Sequence, residues 1–234
     1  MCSIKKNNIV SIIPARGGPK GIPGKNIKPL LGKPLIGWTI KSSVASNRID
    51  TTFVSTDSSE IARVSESFGA KVISRPAKIS GDQASSEDAL LHFLDFLEEN
   101  ENILPDYVVF LQCTSPIRGS VDIDQAIDKI IHDKADSLLS VVPNHRFIWE
   151  SGCAGFKSIN YDYKARQRRQ DLNPQYMENG SIYIFKPWVL REKNNRLGGK
   201  VTFYTMARES GFEIDNILDF ELCEFIMKRK TQAN

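Results

Sequence analysis

Cysteine is scarce and scattered. Cys2, Cys113, Cys153 and Cys223 form no C-x-x-C pair and have no histidine nearby at ligand spacing. That excludes a disulfide scaffold and a zinc site, and leaves buried or incidental thiols in a reducing compartment. Long apolar runs are missing too. No stretch approaches 18 residues and no signal peptide stands at Met1–Val10, so a soluble cytoplasmic protein without a membrane partner is expected. Net charge is almost absent: 31 Lys and Arg against 28 Asp and Glu leave +3. So small a balance gives no reason to expect a nucleic-acid partner, and the cations must be judged where they cluster. No internal repeat or low-complexity tract interrupts the chain. Two familiar phosphate loops are wanting as well. Gly24-Lys25 is followed by Asn26, and Pro19 stands five before Gly24, so G-x-x-x-x-G-K-[ST] fails; G-x-G-x-x-G is absent. Neither a Ser–His nor a Cys–His arrangement points to a covalent nucleophile.

What is present begins with Ile12–Ile27, IIPARGGPKGIPGKNI. It follows an apolar run, Ile9 to Ile13, that reads as a buried strand. Arg16, Lys20, Lys25 and Lys28 are then crowded among Gly17, Gly18, Gly21 and Gly24 with no acidic residue. Glycines let backbone N–H groups approach a ligand, and cations supply charge-assisted bonds to an anion. Such a loop suits a polyanion such as a triphosphate, with Lys25 expected as an exposed loop cation. Taken by itself, the same composition also describes a flexible surface turn.

The length, 234 residues, and the apolar fraction, 41%, suit one large α/β domain with a sizeable core. Strand and helix patterns alternate. Pro34 predicts the first helical position of a helix to about Ser46. Thr52–Ser55 reads as a strand, Ser58 or Ser59 as the cap of a helix stopped by Gly69, and Lys71–Ile73 as a strand. Ser85-Ser86-Glu87-Asp88 opens a helix as a capping box. Asp106–Leu111 reads as strand, Ser120–His132 as amphipathic helix and Ser137–Val142 as strand. The alternation predicts a three-layer α/β fold, a mostly parallel Rossmann-like sheet covered on both faces. It stops at Pro143. Residues 144–177 are polar, aromatic and irregular, too long for a passive connection. They are either a lid or an arm that embraces a second subunit, and their arginines and aromatics favour the arm. The expected organisation is a domain of residues 1–143 and 178–234 with this arm inserted. Ser181–Phe185 and Val201–Met206 return to strand, and Ile217–Lys230 closes as a helix.

Ligands of open α/β sheets bind beyond the carboxyl ends of the strands. The Arg16–Asn26 loop, Thr56-Asp57, Gln112 to Arg118 and Asn179-Gly180 all fall there. Singly each has a plain explanation; Asp57 is equally a turn former. Together they outline a cleft for a nucleotide and a second substrate. Glu213-Ile214-Asp215 puts two carboxylates on one side of an extended segment, which suits Mg²⁺. Asp215 as a cap of the last helix is the alternative.

P-A-R-G-G-x-K-G-I-P-x-K-N resembles the nucleotide loop of the cytidylyltransferases that activate sialic acids and related sugars. Pro19 stands where that family usually has Ser. The resemblance extends to L-Q-C-T-S-P-I-R, with Cys113 in place of a frequent proline. It continues in Arg75-Pro76 with Asp82 to Ser86, in Arg169-Gln170-Asp171-Leu172 with Glu178 to Tyr183, and in the acids 213 and 215, where Glu213 replaces an Asp. It implies that Ala15, Arg16, Gly17, Lys25 and Asn26 hold the nucleotide and that Arg75 and Ser86 read the base. It further implies that Gln112, Arg169 and Tyr183 meet the sugar, that Arg118 supports the cleft, and that Glu213 and Asp215 bind Mg²⁺. Met177 stands where sialic-acid enzymes often carry Arg, which suggests an acceptor with a more apolar decoration, as in legionaminic acid.

The implied reaction is attack by the anomeric hydroxyl of a nine-carbon 2-keto acid sugar on the α-phosphorus of CTP. Arg16, Lys20, Lys25 and Mg²⁺ would neutralise charge in a homodimer. The alternatives are the cytidylyltransferase for the eight-carbon 3-deoxy-manno-octulosonate and a nucleotide-binding protein without turnover.

Overall fold

The apolar strand ahead of the glycine loop lies inside the main sheet, buried along nearly its whole length. The computed structural model describes residues 7–18, 22–81, 83–153 and 155–233. In chain order the elements are β1 (Ile9–Pro14), β2 (Pro29–Leu30), β3 (Lys33–Pro34), α1 (Leu35–Val44), β4 (Thr51–Thr56), α2 (Ser59–Ser67), β5 (Lys71–Ser74) and α3 (Ser86–Phe96). Then come β6 (Tyr107–Leu111), α4 (Ser120–His132), β7 (Ser137–Asn144), β8 (Trp149–Gly152), β9 (Gly155–Ser158), β10 (Gln175–Phe185), α5 (Pro187–Lys193), β11 (Val201–Thr205) and α6 (Ile217–Ala233).

Seven strands form the main sheet in the order β11-β7-β10-β6-β1-β4-β5. β10 runs antiparallel to both of its neighbours, and the other pairings are parallel. The sheet is mostly parallel, as the alternation predicts. Strand geometry sends successive side chains to opposite faces. Ile13 accordingly joins Ile36, Ile40, Ile127 and Ile130 on one side. Ile12 joins Phe53, Leu90, Phe93 and Phe185 on the other. Each face thus has its own apolar layer under helices. No helix among the described residues is long and apolar enough to cross a membrane.

The local helix signals act as read. Ser58 accepts from the Ile61 N–H, and Gly69 follows α2 with φ 92°. Ser85 and Asp88 form a reciprocal capping box, each side chain accepting from the other's backbone N–H. Pro34 differs. It is extended, in the small β2–β3 hairpin, and serves as N-cap, so α1 starts at Leu35 and ends at Val44. α5 has only seven residues, two of them buried, too few to give a periodic signal.

The segment expected to be irregular enters the sheet at both ends. Gln175↔Asn144 and Met177↔Val142 are paired, so β7 and β10 run on as a two-stranded extension from which the arm departs. Within the arm, β8 and β9 form a hairpin. Trp149 and Phe156 on the hairpin, and Ile148, Ile159 and Tyr163 beside it in sequence, are all exposed.

Candidate active site

β4 and β5 lie on one side of β1 and β6 lies on the other. Loops leaving the ends of β1 and β6 therefore diverge, the arrangement that opens a crevice in an α/β sheet. A cavity of about 540 Å³ sits there, lined by Arg16, Lys25, Asn26, Ser86, Gln112, Glu213 and Asp215 among others. A second cavity, of about 280 Å³, adds Arg75, Ser80 and Ser85, and shares Pro14, Arg16 and Ser86 with the first. The two make one cleft. Seven residues singled out in the sequence line its larger part.

The loop after β1 is held from below. Ala15 donates its N–H to Ser55 O (2.9 Å), Gly17 donates to Asp57 Oδ1 (2.8 Å), and the Asn26 amide donates to Arg16 O (3.0 Å). Asp57 is thus a fastener of the glycine loop, not only a turn former. Arg16 reaches across the cleft to Gly81 O at 3.1 Å. Lys20 lies outside the described residues, as do Pro19 and Asp82.

Lys25 departs from expectation. It is 8% exposed, and its ammonium donates to the carbonyl of buried Ile214 at 2.7 Å, with Asp215 at 3.7 Å. It ties the glycine loop to the acidic segment instead of extending into solvent. That partner is 189 residues away in sequence, so no local pattern announces the burial.

Arg75 is also buried. Its guanidinium donates to Ser55 Oγ and Ser55 O at 3.1 and 2.6 Å. Burial lowers its pKa and Arg16 adds to that, while Asp57 opposes it. Ser86 opens α3 at the seam of the two cavities. Arg118 is enclosed beneath the cleft and donates to Ser181 O, Ser181 Oγ, Thr39 Oγ1 and Gln112 O. Burial pushes its pKa down to about 10. It staples the turn after β6 to β10, the supporting position expected of it.

Asn179 points inward. It accepts from Ser140 Oγ (2.6 Å) and donates to Ser210 O (2.9 Å). Tyr183 is buried, stacked on Phe110 with ring centroids 5.5 Å apart, and its hydroxyl donates to Glu178. Phe110, not Tyr183, is the member of that stack that lines the cavity. Arg169 begins a short 3-10 turn in the arm, and its side chain is not among the described ones.

Glu213 and Asp215 face the same cavity. Burial, with Asp215 and Glu178 nearby, pushes the Glu213 carboxyl up to about 7, and Lys25 works against this. A carboxylate crowded by others and partly dehydrated gains from a cation. Among the described residues no three acidic, His or Cys side chains converge to hold a metal by themselves. Two carboxylates are what Mg²⁺ takes when phosphate and water complete its shell, so the pair fits. Asp215 does not cap α6. Asn216 and Asp219 do so reciprocally, with Asp219 Oδ2 also accepting from the Asp215 N–H. Sequence reading missed Asn216 as the cap, and missed Glu178, whose only signal was its place before Asn179-Gly180.

Residues 10–228 match the cytidylyltransferase family. The chain is 38% identical over 224 residues to N-acylneuraminate cytidylyltransferase A of Danio rerio, covering 94% of this chain and 51% of that protein. It is 36% identical over 217 residues to the N-acylneuraminate cytidylyltransferase of Streptococcus agalactiae serotype III (strain NEM316), covering 90% and 51%. The chain therefore spans about half the length of these curated relatives. A solved CMP:2-keto-3-deoxy-manno-octonic acid synthetase in complex with CTP superposes with a TM-score of 0.73, covering 96% of this chain and 100% of that one. At 17% identity this likeness concerns the fold.

Proposed function

The chain belongs to the cytidylyltransferase family, and on that premise we propose that it activates a nine-carbon 2-keto acid sugar with CTP. The anomeric hydroxyl attacks the α-phosphorus, a new P–O bond forms, the α–β bridging bond breaks, and pyrophosphate leaves with the CMP-sugar as co-product. The hydroxyl proton passes to water in the cleft. One observation carries the reading: a single cleft brings Arg16, Lys25 and Asn26 from the loop after β1 against Gln112 after β6 and the acids Glu213 and Asp215. Cations for a triphosphate and acids for its metal share one wall with a polar group for the acceptor.

In this proposal Arg75 and Ser86 read the base in the smaller cavity. Ala15, Arg16, Gly17, Lys25 and Asn26 hold the triphosphate, with Lys20 beside them. Gln112 meets the sugar, Tyr183 backs it through Phe110, and Arg169 of the arm meets its carboxylate. Glu213 and Asp215 would hold Mg²⁺. The metal, when bound, supplies charge neutralisation at the α-phosphate and the leaving pyrophosphate. The chain's own residues then orient the reactants and exclude water from the phosphorus.

The relatives at 36–38% identity bear the name N-acylneuraminate cytidylyltransferase, which favours a nine-carbon acceptor over the eight-carbon one. Met177 lines a neighbouring cavity with Val142 and Phe212. The apolar side of this cavity, which Arg146 and Arg208 also line, supports an acceptor with acetamido and deoxy decoration such as legionaminic acid. The exposed aromatics of the arm support pairing with a second copy, since a monomer rarely leaves such a patch in water. The free thiols of Cys113, Cys153 and Cys223 support a cytoplasmic setting.

The test is pyrophosphate release from CTP with a panel of sugar acids: N-acetylneuraminic acid, legionaminic acid and 3-deoxy-manno-octulosonate. Release with a nine-carbon acid and not the octulosonate is expected. CTP binding without release from any acid would leave a nucleotide-binding protein and refute the enzyme.

A further inference from the structure

The β7–β10 ladder is interrupted beside the cleft. From Glu178 to Tyr183 β10 advances five residues, while its partner moves only two, from Val141 to Leu139. Three residues are thus extra on β10, a bulge larger than the usual single residue, of the kind that re-aims groups next to sites. Its flanks are pinned. The Asn179 amide bonds to Ser140 and Ser210, the Ile182 N–H donates to Ser140 Oγ, and Ser181 accepts from buried Arg118. Between them Gly180 takes φ 60°, which side-chain-bearing residues rarely adopt.

A Cβ on Gly180 would lie 1.8 Å from Glu213 Oε1, 2.8 Å from Glu213 Cδ and 2.6 Å from Gln112 Oε1. These are impossible separations. The pinned flanks keep the bulge from yielding, so a methyl group there must expel the Glu213 carboxylate and the Gln112 amide. We infer that Gly180 is the positioning residue of the site: the space left by its missing side chain is the slot in which Glu213 and Gln112 are set. The inference rests on the metal role proposed for Glu213, and it assigns to the Asn-Gly pair a task distinct from contact with either substrate.

The experiment is a cycle of Gly180→Ala, Glu213→Asp and the double variant, read by Mn²⁺ titration at saturating CTP and by thermal unfolding. Gly180→Ala should raise the Mn²⁺ dissociation constant about tenfold or more. Glu213→Asp draws the carboxylate back by one methylene. In the Gly180→Ala background it should restore affinity about threefold or more, while in the native background it weakens it. A glycine needed only for its backbone angle predicts no such rescue. Native Mn²⁺ affinity in Gly180→Ala, or failure of the rescue, would overturn the inference. Should Gly180→Ala not fold, Gly180→Ala with Glu213→Ala and Gln112→Ala decides instead, since the methyl then meets neither side chain. It should fold and melt only slightly below Glu213→Ala with Gln112→Ala, because only the strain of φ 60° is left, and failure to fold overturns the slot. Glu213→Ala alone keeps the two claims apart: native Mn²⁺ affinity in that variant refutes the metal reading, whatever Gly180 does.

Discussion

Lys25→Met separates a structural lysine from a solvated one. Methionine keeps the apolar stem in place and removes the ammonium. What is lost is a charge-assisted hydrogen bond of 2.7 Å to the carbonyl of Ile214, a fully buried residue. Such a bond contributes roughly 1.5–3 kcal/mol, and the carbonyl left behind has no water to turn to. The Asp215 contact at 3.7 Å adds little, because that carboxylate is 76% exposed. A loss of about 2 kcal/mol lowers the melting temperature of a chain this size by roughly 4–8 °C. Activity should suffer separately. With the ammonium gone, the glycine loop and the 213–215 segment are no longer tied, and kcat/KM should fall roughly 100-fold or more. Urea unfolding and calorimetry read the first effect, and pyrophosphate release reads the second. A solvated loop lysine would leave stability within about 0.5 kcal/mol of native. That outcome, with activity lost, would mean that the tie to Ile214 contributes nothing and that Lys25 acts only on phosphate.

Asp57→Ala removes the acceptor of the Gly17 N–H. The KM for CTP should rise roughly fivefold, with stability changed by less than about 1 kcal/mol because the site is exposed; an unchanged KM would make Asp57 a turn former and nothing more. EDTA should abolish turnover and Mg²⁺ restore it, whereas Asp215→Asn should stay inactive at ordinary Mg²⁺; metal-independent turnover would sink the carboxylate pair. Sedimentation should find a dimer at assay concentration, and Trp149→Ser with Phe156→Ser, two exposed arm positions, should weaken it; an active monomer would refute the arm's role.

The alternation of strand and helix was legible because each element carries its own period. Ser58 and the Ser85/Asp88 box were legible because a cap is made within four residues. Long-range facts were not. The reversal of β10 leaves no mark in its residues, since a buried strand is equally apolar in either direction. Its longer run, from Gln175, was hidden because Gln175 to Glu178 are polar or exposed and pair only with β7. Lys25 read as a loop cation because its partner follows β11, far along the chain. For the site, the motif positions 16, 25, 26, 86, 112, 213 and 215 do line one cavity. Tyr183 shows the limit: its place in a motif said nothing of a hydroxyl committed to Glu178.

The reversed strand links arm and cleft physically. A parallel strand between β6 and β7 would begin at the far edge of the sheet and present only its last residues to the site. Because β10 runs the other way, its first half lies on the edge where the ligand loops gather, and Ile182 pairs with the last residue of β6. Residues 175–181 therefore project beyond β6. Their outer part, paired with β7, carries the root of the arm, and their inner part carries Glu178, the bulge and Gly180. Six residues, 175–180, thus run from the root of the arm to the glycine beside the Glu213 carboxylate without an intervening flexible loop. Any force that fixes the arm, such as pairing with a second copy, acts on the same ladder that sets the bulge. Dissociating the proposed dimer should accordingly weaken metal binding as well as acceptor binding, whereas an arm that served only as a lid would change the acceptor alone.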